Sequence, residues 1–168
     1  MFLYHQCPEH MQGNVLYPLN QLQNFFPEIA LQARKKYQGR EHLLERRIQL
    51  LNCLWNDVLH CAPVHPHLVY QAWQSLGKEL GDTRWFKIPA AVLDQMPAVI
   101  YQSDGAVKQM DCTGYQELDG LPAVTWDWYR TLHRQNKQGA WFHGVPHVLL
   151  LGTLNTTGLE IISWKDPI

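Results

Sequence analysis

The chain has 168 residues, 46% of them hydrophobic and 17% charged, with 14 Lys and Arg against 15 Asp and Glu. That length and composition fit one folded domain spanning residues 1–168 and exclude a disordered chain. The net charge of −1 excludes a protein that holds a polyanion or a membrane surface by bulk charge alone.

The opening MFLYHQCPEH has no basic segment followed by a long apolar one, so no secretory signal is expected. No apolar run approaches the ~20 residues of a membrane span, and no membrane partner is expected. Phe2–His5 reads as a short strand closed by Pro8. A helix is expected from about Pro27, with Ile29, Ala30, Ala33 and Tyr37 at helical spacing and Gly39 as its stop. A second helix is expected from about Arg40, placing Leu44, Ile48 and Leu51 on one face. Residues 55–62 fit two patterns: a buried strand ending at Pro63, or a continuation of that helix. A short helix is expected over about 67–76, a strand over Trp85–Ile88, a turn or two of helix over Pro89–Met96 and a strand over Ala98–Gln102. Residues 103–123, with Gly105, Gly114 and Gly120, read as a long loop or irregular hairpin. Thr125 is placed as the cap of a helix reaching about Asn136. Pro146–Gly152 and Leu159–Trp164 read as the last strands. The order is not a regular β-α alternation, which argues against a doubly wound parallel sheet. The expected fold class is a compact α+β domain, helices mostly in the first half, with a mostly antiparallel sheet that is continuous or split.

Cys7, Cys53, Cys61 and Cys112 form no C-x-x-C pair. They read as free thiols of a cytoplasmic protein, against two disulfides in an exported domain. His60, Cys61, His65 and His67 are the densest set of metal-ligand types. Pro63 and Pro66 hold that segment extended, and no second ligand pair at zinc-finger spacing follows, so no metal is expected. The same histidines also fit a turn at the end of a buried element, or a pocket for substrate or nucleotide. Arg34, Lys35, Lys36, Arg40, Arg46 and Arg47 hold six of the fourteen basic residues. Glu41 and Glu45 have no Lys or Arg three or four positions away, so helical ion pairing does not account for the cluster. A solvated face and a patch for phosphate or nucleic acid both fit it. Glu117 and Glu160 are candidate general acid/base groups, although alternation in Leu-Glu-Ile-Ile also suits a solvent-facing Glu160. His147 is a candidate catalytic imidazole at a strand start. No G-x-S-x-G, P-loop or G-x-G-x-x-G motif occurs, which removes the matching hydrolase, NTPase and dinucleotide-binding readings.

Two stretches resemble one superfamily. Leu3-Tyr4-His5 is similar to the strand that opens ADP-ribosyltransferase-like folds, including RNA 2'-phosphotransferases and DarT-like DNA ADP-ribosyltransferases. Asn56–Tyr70, with its Pro-x-x-Pro and closing Tyr, resembles the DarT-like pattern, and Arg46 or Arg47 precedes it where that family keeps an NAD-contacting arginine. The resemblance implies an NAD-binding, nucleotide-modifying transferase whose acceptor is a nucleic acid. It implies that His5 contacts ribose, Arg47 the phosphates, and Tyr70 covers the pocket, with His65 a further nucleotide contact. In the late strand, where the family carries its catalytic carboxylate, this chain has His147, and Glu160 lies one strand later as the alternative. The other class of function is a non-enzymatic interaction module using the seven Trp and seven Tyr as contact surface.

Overall fold

Alternating apolar residues build the strands that carry the domain, in a computed structural model that describes residues 1–168. In chain order these are β1 (Phe2–Gln6), β2 (Val15–Leu16), β3 (Arg47–Ile48), β4 (Cys53–Leu54), β5 (Val58–Cys61), β6 (Arg84–Pro89), β7 (Ala98–Tyr101), β8 (Val107–Gln109), β9 (His147–Leu151), β10 (Leu154–Asn155) and β11 (Glu160–Ser163). The helices are α1 (Leu19–Phe25), α2 (Pro27–Arg34), α3 (Pro66–Ser75) and α4 (Ala123–Arg134). Pro27 and Pro66 each occupy the first helical turn, where the missing N–H costs nothing. No helix is long and apolar enough to cross a membrane.

The main sheet is antiparallel and split. One part is ordered β11-β6-β1, the other β5-β9-β7-β8, and β2–β10 and β3–β4 form two-stranded ribbons. The two parts meet at one bridge, where Tyr4 N–H donates to Ala62 O at 2.9 Å and Ala62 N–H to Tyr4 O at 2.8 Å. Alternation along β1 sends Leu3 and Tyr4 to opposite faces. Leu3 packs with Ile88, Leu59, Cys61, Val148 and Leu150, so the inner faces of both sheet parts share one core. Tyr4, with Trp85 and Ile162, packs against Val69, Ala72 and Trp73 of α3 and Tyr129 and Leu132 of α4. The outer face of the four-stranded part (Val58, Val99 and Leu149) is covered by Ile48. The fold is thus an α+β domain built on a split, mostly antiparallel sheet.

Several elements differ from the sequence expectation. The helix expected from Arg40 is replaced by two short 3-10 turns, Glu41–Leu44 and Gln49–Leu51, flanking β3. Its apolar spacing gives way to tertiary packing, since Ile48, 3% exposed, is held in the extended β3–β4 ribbon. Asn52 closes the ribbon in the left-handed region at φ 48°. Of the two patterns for residues 55–62, a 3-10 turn (Trp55–Asp57) leads into strand β5. Thr125 does not cap α4. Pro122 precedes the helix, and the buried Thr125 hydroxyl donates to His143 O at 2.7 Å. Within residues 103–123, read as a long loop or an irregular hairpin, residues 107–109 form strand β8, which pairs with β7 as a hairpin.

Candidate functional site

With a single bridge between the sheet parts, the side chains near it are contributed by separate elements. His5 lies on β1 next to the bridging Tyr4, His60 on β5 two residues before Ala62, and His147 at the start of β9. All three are half-buried. The His60 and His147 rings lie 6.4 Å apart at 80°. Each imidazole gives one N–H to a backbone carbonyl: His5 Nδ1 to Gln6 at 2.7 Å, His60 Nε2 to Trp55 at 2.8 Å, and His147 Nδ1 to Val145 at 2.9 Å. The second nitrogen of each neutral ring is therefore a lone pair.

Burial first, then nearby positive groups, favours the neutral forms. Desolvation and the Lys36 charge lower His5 to about 4, although its bond to Gln6 opposes this. Desolvation, His147, Lys36 and His5 lower His60 to about 3 against the bond to Trp55. Desolvation lowers His147 as well. Lys36 follows α2 in a short 3-10 turn, and its own pKa is lowered by burial and by Arg40.

An aromatic and cationic wall adjoins these histidines. The Trp55 ring sits 4.6 Å from His60 and 5.2 Å from Tyr101. The Arg46 guanidinium lies 4.8 Å over Trp55 and 4.6 Å over Tyr101, and donates to the Tyr101 hydroxyl. Alternation puts Arg46 here, half-buried, and turns Arg47 outward, exposed, with its guanidinium on Asn52 Oδ1 at 3.1 Å. None of Arg34, Lys35, Lys36, Arg40, Arg46 and Arg47 forms an ion pair. The two ion pairs of the protein are Lys87–Glu160 and Arg130–Asp127.

A groove of about 540 Å³ lies on the same face of the three-stranded part as His5. Its floor contains Phe86 and Ile161, which follow His5 in one cross-strand row. Its walls come from the loop after β1, with Cys7 and Met11, and from the β10–β11 turn at Thr156–Leu159. Ile161 is 47% exposed there, and Arg84 lies at one end without a carboxylate partner.

The other residues singled out from the sequence fall on the opposite face. Glu160 aligns with Lys87, and Lys87 with Tyr4, so all three point away from the face of His5. Glu160 is bound to Lys87 at 2.9 Å and is 59% exposed. His65 caps α3, accepts from His67 N–H at 3.2 Å, and sits edge-on to Tyr4 at 5.0 Å. Burial and His67 lower its pKa, while Glu117 and Glu160 act the other way. Tyr70 packs against Trp164 at 5.9 Å beneath Lys165. Glu117 accepts from the Tyr4 hydroxyl at 2.6 Å and from Phe2 N–H at 2.8 Å. That pairing, after desolvation, pushes the Tyr4 pKa up.

The sequence residues therefore fall into two groups. His5 and His147 join His60, Lys36, Arg46, Trp55 and Tyr101 at the seam, while His65, Tyr70 and Glu160 lie with Glu117 on the Tyr4 side of the three-stranded part, away from His5. His60 and Cys61, adjacent in sequence, point to opposite faces of β5. Cys61 is in the core, where burial pushes its thiol up to about 12. No three His, Cys, Asp or Glu side chains are arranged to hold a metal ion. Trp55 and Tyr101 were not singled out from the sequence; the only signal for Trp55 was its position five residues before His60. Comparison of the chain with known protein families, with curated proteins and with solved structures gives no match.

Proposed function

We propose that the seam and the adjoining groove bind NAD or a related nucleotide in the manner of an ADP-ribosyltransferase-like domain. The observation that carries this reading is the joint placement at the seam of Lys36, Arg46, Trp55 and three half-buried imidazoles, with no carboxylate paired to either cation. Unpaired cations suit a diphosphate, and a groove with Phe86 and the exposed Ile161 at its floor suits the apolar face of a base. Arg46 takes the phosphate role that the resemblance assigned to Arg47, whose exposed guanidinium is turned outward onto Asn52.

The reading is one of binding first. Cleavage of a glycosidic bond requires a carboxylate to stabilise the developing positive charge, and Glu160 faces away from His5. His147 is the ionisable group of the late strand that faces the seam. Nucleic acid is the acceptor the resemblance implies. The six cations between Arg34 and Arg47, free of ion pairs, support contact with its phosphates. Four unpaired cysteines support a cytoplasmic setting.

Thermal shift and calorimetry with NAD test the proposal. Stabilisation that grows with NAD concentration and is lost in Lys36→Ala and Arg46→Ala is the expected result. No stabilisation at millimolar NAD overturns it. A second reading, a nucleic-acid interaction module without catalysis, is favoured by Phe25 and Leu31, 59% and 63% exposed near the exposed Lys35. Retention of single-stranded oligonucleotide without any NAD response is the outcome that favours it.

A further inference from the structure

Three imidazoles and a lysine at a phosphate site pose a chemical difficulty. Each imidazole has already given its one N–H to a backbone carbonyl, at Gln6, Trp55 and Val145. What remains at His5 Nε2, His60 Nδ1 and His147 Nε2 is a lone pair, which repels an anionic oxygen. The carbonyl bonds also prevent a simple tautomer change, since that would leave two lone pairs facing each other. A phosphate oxygen can be met by one of these rings only after the ring gains a second N–H.

We infer that the seam takes up phosphate-bearing ligands together with protons, so that ligand binding converts at least one of His5, His60 and His147 from an imidazole to an imidazolium. This inference rests on the nucleotide reading of the site and adds its regulation by pH. The proton comes from solvent and adds to the free ring nitrogen; no bond to the ligand forms or breaks.

The surroundings favour such coupling. The charged and titratable groups around the three rings are Lys36 after α2 (itself beside Arg40), Arg46 before β3, Asp57 before β5, whose carboxylate is taken up by Leu54 N–H and Asn20, Tyr101 on β7, and the histidines themselves. No carboxylate acts on any of the three. Without ligand, a second positive charge beside Lys36 has nothing to balance it, and burial further disfavours it. A bound diphosphate supplies the missing counter-charge. The cations at the seam then attract the ligand, and the histidines set the pH range over which it is held.

Calorimetry at about pH 6, in two buffers of different ionisation heat, reads proton uptake directly. NAD and inorganic pyrophosphate are titrated separately. The expected result is uptake approaching one proton per ligand, with Kd falling by up to about tenfold per pH unit between about pH 7 and pH 6. Uptake should fall in at least one of His5→Gln, His60→Gln and His147→Gln. Binding without uptake overturns the inference and leaves the nucleotide reading intact. So does uptake that is unchanged in all three variants. Pyrophosphate bound with an uptake that a histidine variant abolishes, while NAD fails to bind, upholds the inference and overturns the nucleotide reading; failure of both ligands overturns both. If a variant does not fold, NAD binding without uptake by the unaltered protein still overturns the inference.

Discussion

Acidification from about pH 7 to about pH 5 should destabilise the fold through His5 and His60. In the unfolded chain each has a pKa of about 6.5, and in the fold they lie at about 4 and about 3. Between those values the unfolded state binds protons that the folded state excludes, so stability rises with pH across the interval. The contribution of the neutral rings is complete above about pH 7 and is lost as pH falls through 6.5 toward the folded values. At about pH 5 each ring has lost about 2 kcal/mol, or about 4 kcal/mol for the two, from 1.36 kcal/mol per pKa unit. His147, lowered by the same burial, adds in the same direction. The loss is a large part of the 5–15 kcal/mol typical of a domain. Urea unfolding at the two pH values measures it, in the unaltered protein and in a His5→Gln/His60→Gln double variant. The double variant should have lost most of the pH dependence, whatever its absolute stability. Equal stability at both pH values, or an undiminished drop in the double variant, refutes the argument that these rings are held neutral by burial.

Three further outcomes are expected. Glu117→Ala removes the acceptor of the buried Tyr4 hydroxyl and of Phe2 N–H, and should cost about 2–4 kcal/mol in urea unfolding, with Tyr4→Phe partly non-additive to it. Gly144→Ala should cost at least about 2 kcal/mol in the same assay. The residue sits at φ 78°, and a Cβ there would approach Val124 Cγ1 to 2.4 Å and Thr125 Oγ1 to 3.2 Å. Under native conditions at about pH 8, a thiol reagent should label Cys7, Cys53 and Cys112 while sparing Cys61, which is 1% exposed with its thiol pushed up to about 12; rapid labelling of four thiols without denaturant is the contrary result.

The strands of the core were legible because their periodicity is short and local. Trp85–Ile88 and Ala98–Gln102 alternate or run apolar between prolines and glycines, and these segments became β6 and β7. Residues 40–51 were not legible, because Leu44, Ile48 and Leu51 carry helical spacing while tertiary packing holds Ile48 in a ribbon over Val58 and Leu149. The candidate site was legible in residue types and not in grouping. His5, His60 and His147 are far apart in sequence, and only the pairing of β5 with β9 and the Tyr4–Ala62 bridge bring them together. Trp55 and Tyr101 carry no motif, and their role depends on Arg46 lying over both rings.

The alternation that hid the grouping also bears on chemistry. Tyr4 and His5 are neighbours in one strand, yet Tyr4 belongs to the carboxylate side of the sheet, with Glu117 bound to its hydroxyl, and His5 to the cationic seam. The half-buried Glu117 is thereby kept away from His5, while the half-buried Asp57, on the turn that carries Trp55, is taken up by Leu54 N–H and the Asn20 amide. Had Glu117 or Glu160 shared the seam, it would have neutralised Lys36 or Arg46 and raised the histidine pKa values, leaving little attraction for a phosphate. With no carboxylate paired to Lys36 or Arg46, the positive charge of the seam stays available. On the nucleotide-binding proposal, any bond-breaking there draws on His147 or on a group brought by the ligand's partner.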